Sequence, residues 1–327
     1  MRIAVTGSIA TDHLMVFPGR IADQLLPEQL AHVSLSFLVD RLEVRRGGVA
    51  ANIAFGLGGL GLAPLLIGAV GTDFAEYELW LKEHGVDTGG VHVSAERQTA
   101  RFMCITDEDT NQIAAFYAGA MAEASDIDLR PLVTGPDRPG LVLISPDDPA
   151  AMLRHTAECR DLGIPFAADP SQQLARLDGP QVRDLVDGAT WLFTNEYEAA
   201  LLKERTGWSR ADVLATVGTW VTTLGEKGVR LERLGQAPLV VPAVPDAPTA
   251  DPTGVGDAFR VGFLAAVGQG APLESAARLG CALASVVLGA VGSQSYEIDR
   301  AQLTGIVERT YGPDAAQPLA SVLAELS

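Results

Sequence analysis

The polar and apolar positions of this chain change rhythm near Gly119. Beyond it, short apolar runs alternate with longer helical patterns. Leu141–Ser145, Pro165–Asp169, Trp191–Phe193 and Trp220–Leu224 read as strands, and Pro149–Leu162, Gln181–Val186 and Glu196–Lys203 as helices. Strands that alternate with helices predict βαβ units and a mostly parallel sheet with helices on both faces. Ile3–Val5 and Pro64–Gly71 add two buried strands, and Thr72-Asp73 is the expected cap of a helix carrying Trp80 and Leu81. Before Gly119 the rhythm is two-residue alternation over much of Val33–Arg45, the sign of strands with one wet face. Thr99–Thr106 and Gln112–Tyr117 flank the polar cluster 107–111, which predicts a hairpin. With the segment near His13–Phe17 these strands would form a small antiparallel sheet apart from the main one. Gln236–Pro252 reads as edge strand and loop, and the apolar run from Leu279 to Gly292 as a buried helix.

In an open α/β sheet ligands bind beyond the carboxyl ends of the strands. Those ends carry polar residues here: Asp147-Asp148, Asp169 to Gln173, Thr194-Asn195 and Thr222-Thr223. The 327 residues suit one large α/β domain or two smaller ones. A net charge of −17 argues against a duplex nucleic-acid partner and against docking on an anionic membrane. Cys104, Cys159 and Cys281 are far apart with no C-x-x-C, so free buried thiols in a reducing cytoplasm are expected. The apolar run at the N-terminus is too short for a signal peptide. The five histidines lack zinc-ligand spacing.

The chemistry concentrates in Asp251-Pro252-Thr253-Gly254-Val255-Gly256-Asp257-Ala258-Phe259-Arg260. Small residues at a loop-to-helix junction leave backbone N–H groups facing outward at the positive end of the helix dipole. Such a place receives a phosphate or a developing oxyanion. Asp257 sets a carboxylate beside it, placed to accept a proton from an attacking hydroxyl, so the pattern points to phosphoryl transfer to an alcohol. At a helix N-terminus its pKa is expected to be low, and Arg260, three residues on, is in range to pair with it. The plain alternative is an ordinary loop entering a helix.

Other candidates are weaker taken singly. Arg46-Gly47-Gly48 opens a helix from which Asn52 projects. Asn195 and Glu198 have the spacing of a capping box. Arg176, just after a polar strand end, is a candidate phosphate clamp, and Thr223 to Gly228 is a tight turn by composition. There is no Walker A, dinucleotide or nucleophile-elbow motif.

Asp-x-Thr-Gly-x-Gly-Asp-Ala-Phe (251–259) resembles the second signature of the ribokinase (PfkB-type) family of sugar and nucleoside kinases. Gly-Gly-x-x-x-Asn (47–52) resembles its first, in the right order some two hundred residues earlier. Within the family the chain is most similar to the adenosine kinases of actinobacteria, in stretches such as 5–15, 34–40, 46–50, 167–177 and 251–260. The resemblance runs from Met1 to about Ser293.

It implies a ribokinase-like α/β fold in one domain, 1–327, with a β lid from about 10–17, 33–47 and 97–118. It implies that Asp257 is the base and that the Gly254, Val255, Gly256 and Asp257 amides form the anion hole. Ser8, Asp12, Ser36, Gly48 and Asn52 would hold the ribose. Phe102, Phe116, Gln172 and Gln173 would hold the base. Asn195 and Glu198 would organise magnesium and phosphates, Glu198 through water. Thr223, Leu224, Gly225, Lys227 and Gly228 would border ATP. The implied reaction is ATP-dependent 5′-phosphorylation of adenosine by a homodimer joined through the lids. A sugar kinase of the same family and a non-catalytic nucleoside-binding regulator are the alternatives. Pro252 departs from the family pattern and removes an N–H from a loop that often holds a monovalent cation, so potassium stays open as a further cofactor.

Overall fold

The structure is a computed structural model that describes residues 1–25, 32 and 34–324. Its main sheet has nine strands: β1 (Ile3–Thr6), β4 (Leu65–Gly71), β5 (Asp87–Ser94), β8 (Leu141–Ile144), β9 (Phe166–Ala168), β10 (Trp191–Asn195), β11 (Thr219–Thr223), β12 (Val229–Glu232) and β13 (Leu239–Val241). They lie in the order β13-β12-β11-β10-β9-β8-β1-β4-β5. From β11 to β5 all pairings are parallel, while β12 and β13 close one side antiparallel. The edge strand expected in Gln236–Pro252 is β13.

Helices cover both faces, which is why strand residues alternate between two cores. Ile3, Val5, Leu66 and Val70 face one core; Ala4, Leu65, Ile67 and Ala69 face the other. The first core is closed by α1 (Val49–Gly59), α2 (Ala75–Glu83), α8 (Val255–Gly268), α9 (Leu273–Leu288), α10 (Arg300–Tyr311) and α11 (Ala320–Ala324). The second is closed by α3 (Arg130–Val133), α4 (Pro149–Leu162), α5 (Gly179–Val186), α6 (Glu196–Thr206) and α7 (Arg210–Thr216). Helices α8 and α9 touch through glycine: a β-carbon on Gly262 would lie 2.7 Å from the Leu279 carbonyl oxygen. That close approach fixes the helix whose first turn carries Asp257. All three cysteines are free and buried. Among the described residues no helix is long and apolar enough to cross a membrane.

A second sheet of four strands stands apart, in the order β3-β2-β6-β7: β2 (Ala10–Val16), β3 (Arg41–Gly47), β6 (Ala100–Thr106) and β7 (Gln112–Tyr117). Its outer pairs are antiparallel, as expected, and its central pair β2–β6 is parallel. The expected hairpin is β6–β7.

Three local expectations change. Of Val33–Arg45 only the part from Arg41 onward is strand, because β2 ends opposite it at Val16. Residues 34–40 are irregular, with Leu38 exposed, and Val33 lies outside the described residues. Asp73 does not cap α2; it accepts from the Thr99 N–H (2.8 Å) and Oγ1 (2.7 Å), tying β6 to the end of β4. The helix expected over Leu279–Gly292 starts and ends earlier, as α9, leaving 289–292 as a turn. Strand β5 had no clear sequence signal, since Gly89-Gly90 interrupts its pattern and pairing with β4 supplies its order.

Candidate active site

Gly254 enters α8 with φ 79°, a left-handed conformation that glycine adopts without strain. A β-carbon there would also lie 2.7 Å from Ser293 Cβ, so the loop before α8 packs flat against 292–294. The Gly256 and Asp257 N–H groups meet no acceptor among the described residues. They are orphan donors of a helix start, pointed at open space.

Asp257 is tied to the other end of the chain. Asn52 Nδ2 on α1 donates to Asp257 Oδ2 at 2.9 Å. Asn52 Oδ1 in turn accepts from Ser293 Oγ and Gln294 Nε2, both at 2.9 Å. The two glycine signatures are thus joined by one hydrogen bond between residues 205 apart in sequence. Burial pushes the Asp257 carboxyl up to about 6, against the pull of the Asn52 hydrogen bond and the Arg260 charge. The expected low value at a helix N-terminus is therefore corrected: dehydration sets the direction of the shift.

Arg260 is corrected as well. It does not hydrogen-bond Asp257. It forms a buried ion pair with Asp169, at the end of β9, with Nη2 on Oδ1 at 2.6 Å and Nε on Oδ2. Its Nη1 donates to the Gly256 carbonyl at 2.9 Å, which orients the peptide whose N–H belongs to Asp257. Only the Nη2–Oδ1 contact has hydrogen-bond geometry; Nε and Oδ2 approach as charges without a hydrogen bond between them.

Asp169, Glu198, Asp257 and Arg260 line a small cavity of about 160 Å³, together with Gly256, Val49, Ser171, Asn195 and Thr223. The capping box is present: Asn195 Oδ1 accepts from the Glu198 N–H, and Glu198 Oε2 from the Asn195 N–H, both at 2.8 Å. Burial raises the Glu198 pKa against the Asn195 N–H, and the Asp169 charge raises it further. A larger hollow of about 700 Å³ lies between 244–248, α9 and α10. It is lined by none of the residues singled out from the sequence, so chemistry rather than size marks the small cavity.

The acceptor-side candidates form a row across the lid. Arg45 pairs directly with Asp12, Asp12 with Phe102, and Phe102 with Phe116, so the four side chains share one face. Gly47, two residues from Arg45, leaves room for the carboxylate: a β-carbon there would lie 2.8 Å from Asp12 Oδ2. Burial raises the Asp12 pKa to about 6, Arg45 lowers it and Asp251 raises it. Ser8 Oγ accepts from the Val49 N–H at 3.1 Å and so serves the start of α1, after Gly48. Gln173 is buried and its Oε1 has no partner among the described residues. Gln172 is exposed and accepts from Ser171 Oγ at 2.6 Å. Ser36 is exposed in the irregular stretch before β3.

On the other side, Thr223 lines the cavity, and Leu224 to Gly228 form a closed turn, with the Leu224 N–H on the Gly228 carbonyl at 2.7 Å. Gly225 and Lys227 are exposed on that turn. Arg176 is exposed and does not line the cavity. The sequence reading missed the Asp169–Arg260 pair, Arg45, and the Ser293-Gln294 contacts to Asn52. Only the first left a trace, a charged residue at helical spacing from Gly256 and an acid at a polar strand end.

The model of the pfkB family of carbohydrate kinases matches residues 9–300. A nucleoside kinase of Methanocaldococcus jannaschii is 30% identical over 251 residues, 76% of this chain and 81% of that protein. Among solved structures, the nucleoside kinase of Burkholderia thailandensis in complex with inosine superposes with a TM-score of 0.82 at 32% identity, covering 94% of this chain and 98% of that one. The same enzyme in complex with ADP-inosine gives a TM-score of 0.80 at 34% identity, covering 94% and 96%.

Proposed function

The chain belongs to the pfkB family of carbohydrate kinases, and from that premise we propose that it transfers the γ-phosphoryl group of ATP to the 5′-hydroxyl of adenosine, giving AMP. The observation that carries this reading is the Asn52–Asp257 hydrogen bond. It brings the residue expected at the acceptor's ribose against the carboxylate beside the anion hole. Asp257 Oδ2 is occupied by Asn52, which leaves Oδ1 to take a proton.

In the proposed reaction the 5′ oxygen bonds to the γ-phosphorus as the bond to the β,γ-bridging oxygen breaks. The hydroxyl proton passes to Asp257, and ADP leaves. The Gly256 and Asp257 amides receive the charge on the transferred group, with Arg260 holding their peptide in place. Positioning and charge stabilisation dominate in a loose transition state, so a base with pKa about 6 suffices. Magnesium fits the small cavity: it keeps water ligands and needs few protein ones, and Glu198 has an oxygen left beyond its capping bond. When bound, the ion would neutralise phosphate charge, with Glu198 reaching it through water. Thr223 to Gly228 would border the nucleotide, and exposed Lys227 and Arg176 would meet its phosphates from the solvent side.

On the acceptor side, Asp12 would take ribose hydroxyls with Ser36, while Phe102 and Phe116 stack on the base. The unpartnered Oε1 of buried Gln173 is free to accept from a ligand's N–H or O–H. An amide both donates and accepts, so inosine, the ligand of the B. thailandensis enzyme, is the second reading. The exposed lid residues Leu42, Val44 and Ile113 support a homodimer through the lids. ATP consumption with adenosine, inosine, ribose and fructose 6-phosphate tests the assignment. Preference for a free sugar would replace nucleoside by sugar, and no turnover with any acceptor would point to a binding protein.

A further inference from the structure

Asp251 opens the anion-hole loop, and both of its carboxylate oxygens are engaged. Oδ1 accepts from the Thr253 N–H at 2.9 Å. Oδ2 accepts from the Gly292 N–H and from Arg45 Nη1, both at 3.1 Å. Arg45 belongs to the lid, 206 residues away, and its side chain is only 19% exposed. Its Nε is held by Glu43 Oε1 at 2.7 Å, so the guanidinium is clamped between two carboxylates.

The bond from Arg45 reaches Asp257 through a chain of contacts. Asp251 holds Thr253, next to Gly254, and Gly292, next to Ser293. Ser293 fills the space beside Gly254 and donates to Asn52, which donates to Asp257. Arg45 also lies directly across from Asp12. One cation therefore stands where the lid, the anion-hole loop and the turn holding Asn52 meet. A half-buried charge in such a place is costly unless paired, and an apolar residue would fill the volume more cheaply.

A monovalent cation at this loop needs oxygen ligands. Both Asp251 oxygens are already bonded to N–H groups, and one of them to a guanidinium, so the residues present do not suit that ion. We propose that Arg45 is a positioning residue for phosphoryl transfer: its guanidinium takes the place of a monovalent cation at Asp251 and fixes the anion-hole loop from the lid side. The role in transfer rests on the kinase reading; the substitution for a cation does not.

The test compares the wild type, Arg45→Met and Arg45→Lys in tetramethylammonium, sodium and potassium salts, by kinetics with ATP and adenosine and by thermal unfolding without substrate. The wild type should show the same kcat and the same midpoint in all three salts. Arg45→Met should lose about tenfold in kcat, about 1.4 kcal/mol of barrier, with KM for both substrates within about twofold, the mark of an interaction realised in the transition state. Arg45→Lys should keep most of the turnover, and potassium should raise both kcat and midpoint of Arg45→Met. A wild-type midpoint or kcat that rises with potassium overturns the proposal, and so does an Arg45→Met with unchanged kcat. The wild-type salt comparison decides the cation question even if Arg45→Met does not fold. A folded wild type that phosphorylates no nucleoside in any salt would sink the kinase reading instead.

Discussion

Every residue of β1, β4 and β8 is buried, and every residue of β7 is exposed. The main sheet has helices on both faces; the lid sheet has bare strand on its far side. The carboxylate, the orphan amides and the Asp169–Arg260 pair all hang on the covered sheet and the helices packed on it. Their geometry is set by folding. The acceptor row of the lid ends in Phe116, which is 53% exposed. An aromatic face left in water gains by covering a flat ligand. On the proposed reading, the half of the site that would move charge is preorganised, while the half that would select the acceptor is left for the acceptor to complete.

The strongest way to break this contrast is in the buried half. Asp169→Ala leaves Arg260 buried without its partner and should cost about 3–5 kcal/mol in denaturant unfolding. The double variant with Arg260→Met should recover much of that loss. Equal stability of Asp169→Ala and wild type would mean that the cavity is wet and loosely held. Next, Asp257→Asn should lower kcat at least ~10²-fold, as for loss of a general base, while adenosine binding by calorimetry changes little. Retained turnover would remove Asp257 from its assigned role.

The lid should respond differently. Phe116→Ala should raise the KM for nucleoside by an amount matching about 1–3 kcal/mol of lost stacking. Its unfolding free energy should move by no more than about 0.5 kcal/mol, as for other exposed positions. A large loss of stability would show that β7 belongs to the fold's core after all.

Two pH effects follow from the raised carboxyls. Asp257 must be ionised to accept a proton, and its pKa in the free protein is pushed up to about 6, so kcat/KM should fall as pH drops through about 6 instead of near 4. Asp12, also raised to about 6, should sharpen the same limb in kcat/KM. The smallest effect is on stability. Asp147, at the end of β8, is buried with Oδ2 unpartnered among the described residues, and burial pushes it up to about 8. A folded-state pKa raised above the ordinary carboxyl value of 3.8 gives stability that is complete below 3.8 and lost as pH rises toward 8. Asp147→Asn should therefore flatten the decline in thermal midpoint across that window. An identical pH profile would mean that the carboxyl is hydrated.

Much of the molecule could be read locally. Strands with helices between them, the hairpin at 107–111, the Asn195–Glu198 box and the loop-to-helix start at Gly254 each depend on residues within one turn or one strand of each other. The alternation from Val33 misled because a strand needs a partner, and β2 offers none before Arg41. Gly89-Gly90 hid β5 for the converse reason, since pairing with β4 outweighs a weak intrinsic preference.

The class of fold and the kind of chemistry can be read from consecutive residues, because periodicity and a glycine-rich helix start are local patterns. Only the tertiary structure decided how the charges are shared out. Arg260 meets Asp169, 91 residues away, and not its neighbour Asp257. Arg45 crosses 206 residues to Asp251. Asp257 is raised rather than lowered because its surroundings, not its place in the helix, set its hydration. Partner choice and dehydration depend on what the fold brings near, and no local pattern encodes that.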